Sequence, residues 1–201
     1  MKEHGIKIGA LAGNGKCWWM PCSSRGIVIS SRVRLARNIE GIPFPWRAGS
    51  ARRVRFCQDM KQILGGIIKE KDLLFVETDK ISRIDKQFLM EEQLVSREFA
   101  DRSSGSAVAI DRNSRIALMV NEEDHLRIQC LSAGMNLDVL WEKASEFDSI
   151  LEKNLNYAFN SQLGFLTACP TNVGTGLRAS VMLHLAGLSI TREIDQVIKG
   201  L

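Results

Sequence analysis

Three short strand-like segments follow one another in the middle of the chain, the first two apolar and the third with polar residues among the apolar ones, and this succession constrains the fold more than any other feature. They span Ala107–Ile110, Ile116–Val120 and Leu126–Leu131. Residues 111–115 separate the first two segments, and their length and polarity are typical of a hairpin turn. Strands joined by short turns run in opposite directions, so we expect a largely antiparallel sheet.

Helical patterns interrupt the strands. From Ser50 to Lys69, apolar residues recur at roughly helical spacing. Further helices are predicted over Ile84–Phe99, Leu137–Tyr157 and Thr191–Ile198, and further strands from Ile27 and over Leu73–Val76, Gly164–Thr167 and Val181–Leu185. Runs of strands that are interrupted by helices predict an α+β fold, with helices flanking the largely antiparallel sheet.

The length of 201 residues suits a single domain with a substantial core. We assign residues 26–201 to that domain, and residues 1–25, which are rich in glycine and lack a clear period, to a loose N-terminal arm docked by Trp18 and Trp19. Gly9–Cys17 fails as a P-loop, because Ala10 and Cys17 stand where glycine and Ser or Thr are required. The chain ends soon after its last predicted helix begins, so we expect the domain to be incomplete.

Composition excludes several classes of protein. The 27 basic and 23 acidic residues leave a formal charge of +4, a bias too weak to predict a nucleic-acid partner. No apolar run has the length of a membrane span or of a signal-peptide core. The cysteines lack the paired spacing of a zinc site and fit a reducing compartment. We therefore expect a cytoplasmic protein that binds neither membrane nor nucleic acid and has no metal site of its own.

Arginines cluster in the segment Ser30–Asn38, at Arg32, Arg34 and Arg37. The cluster follows the apolar residues 27–29, so we expect it near the end of a strand. Arginine suits phosphate binding because its planar guanidinium donates two parallel hydrogen bonds and keeps its charge. Arg32 and Arg34 would point to the same side of an extended segment. The later arginines, between residues 47 and 55, are interpreted as a solvated basic face.

Three acids, Glu122, Glu123 and Asp124, follow the strand that ends at Val120. A carboxylate beside a guanidinium can orient it and accept a proton when one of its nitrogens forms a new bond. The alternative is a structural acidic turn capped by Asn121. His125, which follows the three acids, is interpreted as a structural residue that forms hydrogen bonds. His184 is interpreted as a core or near-core residue of an apolar strand.

A loop with two glycines, Asn172–Gly176, connects Cys169 and Pro170 to Arg178. Glycine lets the backbone approach a ligand and turn its N–H groups toward an anion. Taken alone, Gly-Thr-Gly fits any tight turn. Cys169 is either a thiol that helps to align a substrate or an inert buried one.

Together the segments Ser30–Asn38, Asn121–Arg127 and Cys169–Ser180 closely resemble the signature blocks of the guanidino phosphotransferases, the phosphagen kinases. The resemblance runs from about Ile27 to about Thr191. It implies the catalytic-domain fold of that family, ATP and Mg²⁺ as cofactors, and transfer of the γ-phosphate of ATP to a guanidinium nitrogen. It also implies that arginines of all three blocks form one phosphate cradle.

The resemblance assigns roles residue by residue. Glu123 would orient the guanidinium and accept its proton, with Glu122 and Cys169 as further catalytic residues. The nucleotide-binding residues that it implies are Ser30, Ser31, Arg32, Val33, Arg34, Gln93, Arg127, Arg178, Ala179, Ser180, Val181 and Met182. Gln93 stands where many relatives have a histidine that contacts the nucleotide. The family's last motif, an Arg-Gly-x-x-Gly-Glu loop, does not occur in the sequence, so we expect the 201-residue chain alone to be a poor catalyst of low stability.

The short segment before Ser30 and the details of the second and third blocks are most similar to the bacterial protein-arginine-kinase branch of the family. That similarity implies arginine side chains of proteins as substrates, a heat-shock repressor and a Clp-type protease system as partners, and a homodimer of the full-length protein. Two alternatives stay open. One is a non-catalytic module that binds a nucleotide or a partner, and the other is a kinase of a small free guanidino compound.

Overall fold

The structure, a computed structural model, describes residues 27–69, 72–101, 104–111 and 116–200. Along the chain, runs of strands are interrupted by helices, which confirms the predicted α+β class. The strands are β1 (Val28–Arg37), β2 (Leu73–Glu77), β3 (Ala107–Asp111), β4 (Ile116–Val120), β5 (Leu126–Ala133), β6 (Phe159–Asn160), β7 (Gly164–Phe165) and β8 (Leu177–Leu183). The helices are α1 (Ser50–Ile67), α2 (Arg83–Glu91), α3 (Arg97–Ala100), α4 (Leu137–Glu152), α5 (Ala186–Thr191) and α6 (Ile194–Lys199).

Six strands form the main sheet in the order β2-β3-β4-β5-β1-β8. Every neighbouring pair is antiparallel, which confirms the predicted sheet. β3 and β4 pair from Asp111 and Ile116 onward, as a hairpin does. The predicted turn between them falls largely on residues 112–115, and these lie outside the described residues, as do the N-terminal arm and its two tryptophans.

One face of the sheet packs on α1 and α4. Alternate strand residues such as Leu35, Leu118 and Ile128 meet Met60 of α1 and Phe147 of α4 in one buried apolar cluster. The helices supply their apolar stripes at helical spacing, so each buries one side only. This face holds most of the core and fixes which residues of each strand must point the other way.

The opposite face is divided into two halves. Over β2, β3 and β4, the helices α2 and α3 cover a second apolar cluster that includes Leu89, Phe99, Val108 and Met119. Among the described residues, that cluster contains no side chain from β5, β1 or β8. The outward residues of these three strands are mostly polar, with Leu131 and Met182 as apolar exceptions, and they leave an open surface next to the covered half.

The predicted helix Ile84–Phe99 is wrong in one respect, because the chain forms two helices there. A capping box of Ser82 and Asp85 starts α2, and the hydroxyl of Ser96 caps α3 by accepting a hydrogen bond from the Phe99 N–H. Between them the backbone of Gln93 is left-handed, with φ at 56°. The break lets Leu94 and Val95 turn into the core, which a continuous helix would have prevented.

Other boundaries also differ from the predictions. α4 ends at Glu152, because Tyr157 is buried and bridges to Ile39. β1 runs through Arg32 and Arg34 and ends at Arg37, so the predicted position at a strand end holds for Arg37 alone. His184 is exposed and lies beyond the end of β8, so its interpretation as a core residue was wrong. α5 was not predicted, and α6 begins only at Ile194, after a left-handed residue at Arg192.

Candidate functional site

The open half of the sheet brings four arginines together from three adjacent strands. Arg32 and Arg34 alternate along β1, and Arg34 lies opposite Arg178 of β8. Arg127 of β5 lies opposite Ala36, two residues beyond Arg34 on the same side of β1. The predicted grouping of these arginines thus follows from strand register. We refer to them below as the arginine cradle.

The charges of the cradle repel one another. Burial, and after it the nearby positive charges of Arg32, Arg127 and Arg178, together lower the pKa of Arg34 to about 10. Burial likewise lowers the pKa of Arg32, with contributions from Arg127 and Arg178. The buried Nε of Arg34 has no hydrogen-bond partner within the part of the chain that the structure describes. A bound anion would relieve both the repulsion and the missing hydrogen bond.

Two glutamates flank the cradle on the side of Arg127. Glu122 is buried, forms an ion pair with Arg127, and accepts a hydrogen bond of 2.6 Å from the Ser96 hydroxyl. Glu123 lies 3.7 Å from the same guanidinium, and its side chain is 43% exposed. Arg127 therefore links the cradle to both acids, and of the two acids only Glu123 has a substantially exposed side chain.

The environment of Glu123 suits a proton acceptor. Burial raises its pKa above the ordinary value, and the negative charge of Glu122 raises it further. The positive charges of Arg127 and Arg34 oppose this shift. A carboxylate of raised pKa holds an accepted proton better at neutral pH than an ordinary glutamate does. A cationic guanidinium would also find a complementary charge here.

A buried hydrogen-bond network fixes the acidic turn. The Asp124 carboxylate accepts hydrogen bonds of 2.6 Å from the side-chain amide of Asn38 and from the backbone N–H of Ala168. The side-chain oxygen of Asn38 accepts a hydrogen bond of 2.9 Å from the backbone N–H of His125. His125 Nδ1 accepts from the Ile39 N–H, so Nε2 carries the proton and donates to the Pro43 carbonyl. The predicted structural role of His125 is confirmed. The network also ties Glu123 to the segment that leads to Cys169.

Asn121 opens this turn in a left-handed conformation, with φ at 59°. Its amide donates to the carbonyls of Arg53 and Gly105, at 3.0 and 2.8 Å. The capped structural turn, which was the alternative at Asn121, is thus present. It coexists with the charged site, because the network holds the turn in place while Glu123 points out of it.

The glycine loop lies at the edge of the cradle. Gly176 has a φ of +64°, and a Cβ there would come within 2.6 Å of the Ala36 carbonyl oxygen, so only glycine fits. A small cavity beside the loop is lined by Arg34, Arg127, Asn172 and Arg178, among others. Cys169 is half-buried, and its sulfur lies 3.0 Å from the Thr171 hydroxyl.

A cleft of about 220 Å³ continues the cradle away from the acids. It is lined by Ser30, Arg32, Gln93, Leu131, Ser180, Val181 and Met182. Arg32 and Gln93 also line the neighbouring cleft, together with Arg34 and Arg127 of the cradle. The two clefts form one continuous surface, with charge at one end and a mixed apolar and polar lining at the other.

Four of the predicted nucleotide-binding residues have side chains on the other side of the sheet, and one of them is Val181, which lies opposite Ser31. Val33 lies in the core, and Ala179 lies opposite it on the same side of the sheet. The Ser31 hydroxyl is engaged by the backbone of Gly134 and Asn136. All four alternate with residues of the open face along their strands, so their side chains face away from the cradle. The motif match covered consecutive residues, whereas a strand presents only every second side chain to one face.

Two polar residues of the site were not predicted. Gln129 lines the cleft, and its side-chain amide donates to the carbonyl of Gln93, which holds the left-handed residue against β5. Ser96 joins α3 to Glu122. A sequence signal existed for Gln129, since it stands two residues after Arg127 on a strand and must share its face.

A comparison with family models decides the family. Residues 55–201 match the model described as "ATP:guanido phosphotransferase, C-terminal catalytic domain". The chain belongs to this family. The match covers the acid and glycine segments, and the cradle arginines of β1 complete the same site from just before it.

Named relatives agree with this guanido phosphotransferase assignment. The chain is 43% identical over 176 residues to a protein-arginine kinase of Halothermothrix orenii, which covers 87% of the chain and 50% of the relative. It is 43% identical over 181 residues to a protein-arginine kinase of Symbiobacterium thermophilum, with the same coverage. The chain thus spans about half the length of the curated relatives it matches.

Solved structures support the fold. The substrate-free duplicated taurocyamine kinase of Schistosoma mansoni matches 90% of the chain with a TM-score of 0.72 and 26% identity, and the match covers 30% of that chain. A lombricine kinase matches 91% of the chain with a TM-score of 0.70 and 22% identity, over 55% of its own length. Across the described ranges, no helix is both long and apolar enough to cross a membrane.

Proposed function

We propose that the chain forms the nucleotide- and guanidinium-binding part of an ATP-dependent protein arginine kinase. The observation that carries the proposal is the position of Glu123, half-exposed and within 3.7 Å of Arg127, at the acidic end of the arginine cradle. One surface thereby offers a polyanion site and a site for a cationic guanidinium side by side. The names of relatives about 40% identical support protein arginine as the substrate.

In the proposed reaction, the cradle binds the phosphates of ATP and spreads their charge over four guanidinium groups. The cleft lined by Gln93, Leu131 and Met182 takes the nucleoside. Glu123 orients the substrate guanidinium. A guanidinium nitrogen then bonds to the γ-phosphorus as the bond to the bridging oxygen of ADP breaks. The nitrogen's proton passes to Glu123, and the products are phosphoarginine and ADP.

Mg²⁺ is part of this proposal as a companion of ATP. In the part of the chain that the structure describes, there is no group of three or more His, Cys, Asp or Glu side chains able to hold a metal ion. Mg²⁺ commonly keeps several waters and binds through substrate phosphates, so it would supply charge neutralisation there. No residue of this chain is assigned to it.

The protein partners belong to the same proposal. Among the relatives compared, those about 40% identical are named for protein arginine, whereas the taurocyamine and lombricine kinases are only 22–26% identical. This contrast favours protein substrates over a small free guanidino compound. A heat-shock repressor, a Clp-type protease system and a homodimer follow from the resemblance alone and are proposed on that basis.

The test is detection of phosphoarginine by mass spectrometry after a protein substrate is incubated with ATP and the natural protein that contains this chain. We expect Glu123→Gln to abolish phosphoarginine and to leave ADP affinity within about twofold, because its partner is the guanidinium. Glu142→Gln is the matched control, since Glu142 is exposed on α4, the helix that packs on the other face of the sheet. Undiminished turnover in Glu123→Gln would contradict the assignment. ADP binding without any phosphoarginine in the wild type would favour the non-catalytic module.

A further inference from the structure

Arg37 belongs to the same arginine-rich segment as the cradle, but it lies on the opposite side of β1. The sequence grouped it with the anion-binding arginines, and the structure corrects this. Its side chain is 3% exposed and forms an ion pair with Asp148 of α4. The Nε and Nη2 atoms reach one carboxylate in a bidentate arrangement, at 3.1 Å and 2.7 Å. Arg37 therefore has no free hydrogen-bonding edge for a nucleotide.

The third nitrogen of Arg37 holds the glycine loop from behind. Nη1 donates to the Thr175 carbonyl at 3.0 Å and to the Ala36 carbonyl at 2.8 Å. The guanidinium carbon also lies 3.7 Å from the centre of the Phe165 ring, on the short strand β7 that contacts the same loop. Asp148, Phe165 and two backbone carbonyls thus enclose Arg37 on all its polar edges.

The fit between Arg37 and the loop is tight. A Cβ on Gly176 would come within 2.5 Å of Nη1, and the Gly176 carbonyl accepts a hydrogen bond of 2.9 Å from the Ala36 N–H. From Gly176 the chain runs directly into β8, where Arg178 faces Arg34. Arg37 thus contacts the loop immediately before the point at which β8 begins, two residues ahead of Arg178.

We infer that Arg37, held by Asp148, is a positioning residue that places Arg178 in the cradle. It binds no ligand itself and acts through the carbonyl of Thr175 and the close contact at Gly176. The inference rests on the proposed function, because it takes Arg178 to bind a nucleotide phosphate.

The test is a double-mutant cycle in ADP affinity, measured by calorimetry on the 201-residue chain. Arg37→Lys keeps the charge beside Asp148 but cannot reach both the carboxylate and the loop carbonyl. We expect Arg37→Lys to weaken ADP binding by about fivefold and Arg178→Ala to weaken it by about tenfold. In the Arg178→Ala background, Arg37→Lys should change affinity by less than about twofold, because its route of action is already lost.

Controls separate positioning from general stability. Arg53 is a matched case, because its guanidinium also donates to backbone carbonyls, those of Pro45 and Ala48, but away from the cradle. We expect Arg53→Lys to leave ADP affinity unchanged even if it lowers the melting temperature. Asp148→Asn should behave as Arg37→Lys does, and it serves if the lysine variant does not fold.

A second measurement needs no nucleotide. Hydrogen exchange should quicken at residues 175–179 in Arg37→Lys and stay unchanged in the β3–β4 hairpin. The inference would be overturned if Arg37→Lys weakened ADP binding by the same factor with and without Arg178→Ala. Unchanged hydrogen exchange at residues 175–179 would also overturn it. If the wild-type chain binds ADP and Arg178→Ala does not weaken it, the proposed function fails instead, and the exchange result alone decides the role of Arg37.

Discussion

Arg34→Met should make the unliganded chain more stable while it weakens nucleotide binding. Arg34 is half-buried among three other cradle arginines, and its pKa falls to about 10 from an ordinary 12.5. At 1.36 kcal/mol for each pKa unit, this fall corresponds to about 3 kcal/mol against the charged form. Water screens a site that is this exposed, so we expect about 1 kcal/mol in the intact chain. Methionine keeps the length of the side chain and removes the charge.

The sign follows from linkage. A basic group whose pKa is lower in the folded state costs stability at every pH below that value, and it ceases to do so only as the pH rises through it. At neutral pH the cost is fully present, so its removal should raise the free energy of unfolding. For a chain of this size, about 1 kcal/mol corresponds to a rise of about 2–4 °C in melting temperature.

The assay is thermal unfolding followed by circular dichroism, without and with ADP. We expect the wild type to be stabilised by ADP by about 2.7 kcal/mol when ADP is present at about a hundred times its dissociation constant. Arg34→Met should have a higher melting temperature than the wild type without ADP, and ADP should raise it by less. The smaller rise is expected because a charge-assisted contact worth about 1.5–3 kcal/mol is lost.

Arg37→Met provides the opposite control within the same strand. It leaves the carboxylate of Asp148 nearly buried without its partner, and removal of one member of such a pair costs about 3–5 kcal/mol. The reasoning is refuted if Arg34→Met lowers the melting temperature in the absence of ligand, or if ADP stabilises that variant as much as the wild type.

Two further predictions concern the acids and the thiols. Burial and the charge of Glu122 raise the pKa of Glu123, so the rate of arginine phosphorylation should rise with pH through that raised value. Glu122→Gln should move the midpoint of the pH–rate profile to lower pH. A midpoint that does not move would contradict this. Burial raises the pKa of Cys57 and of Cys130 to about 12. Iodoacetamide at pH 8 should therefore leave both thiols unmodified in the native chain and modify both after unfolding. The half-buried Cys169 should react in the native state. Peptide mass spectrometry checks the thiols, and native labelling of Cys130 would show that the core opens.

The sequence predicted β2, β3 and β4 well because these strands are short and largely apolar, whereas β8 begins at Leu177, ahead of the predicted Val181, in a stretch that contains Arg178 and Ser180. The prediction failed at Ile84–Phe99, where the apolar pattern runs across a break that Ser96 and the left-handed Gln93 create together. Neither residue alone signals the end of a helix. The chain could form one continuous helix here or two helices with a new cap at Ser96. Burial of Leu94 and Val95 favours the two helices, and this burial depends on tertiary contacts.

For the site, the motifs predicted four arginines that the sheet does bring together, but they did not distinguish the two faces of the strands. Consecutive motif residues such as Ser31, Arg32 and Val33 look equivalent along the sequence, yet only the middle one faces the cradle. Alternation predicts this once β1 is known to run unbroken through the motif. The role of Arg37 could not have been predicted in this way, because its partner Asp148 is 111 residues away along the chain.

The two sides of β1 explain how the fold can hold four like charges together. Repulsion within the cradle acts to separate β1 from β5 and β8, the strands that supply Arg127 and Arg178. On the opposite side, the same strand buries Val33 and Leu35 among residues of α1 and α4, and Arg37 joins β1 to α4 and to the loop before β8. Burial of such side chains contributes about 1.5–3 kcal/mol each, which exceeds the screened repulsion expected for any one cradle arginine. The charges can therefore stay together without a ligand. A bound anion would remove the repulsion, and the free energy recovered in this way would add to the affinity. A variant that weakens the buried side should consequently lose nucleotide affinity even though every cradle residue is intact.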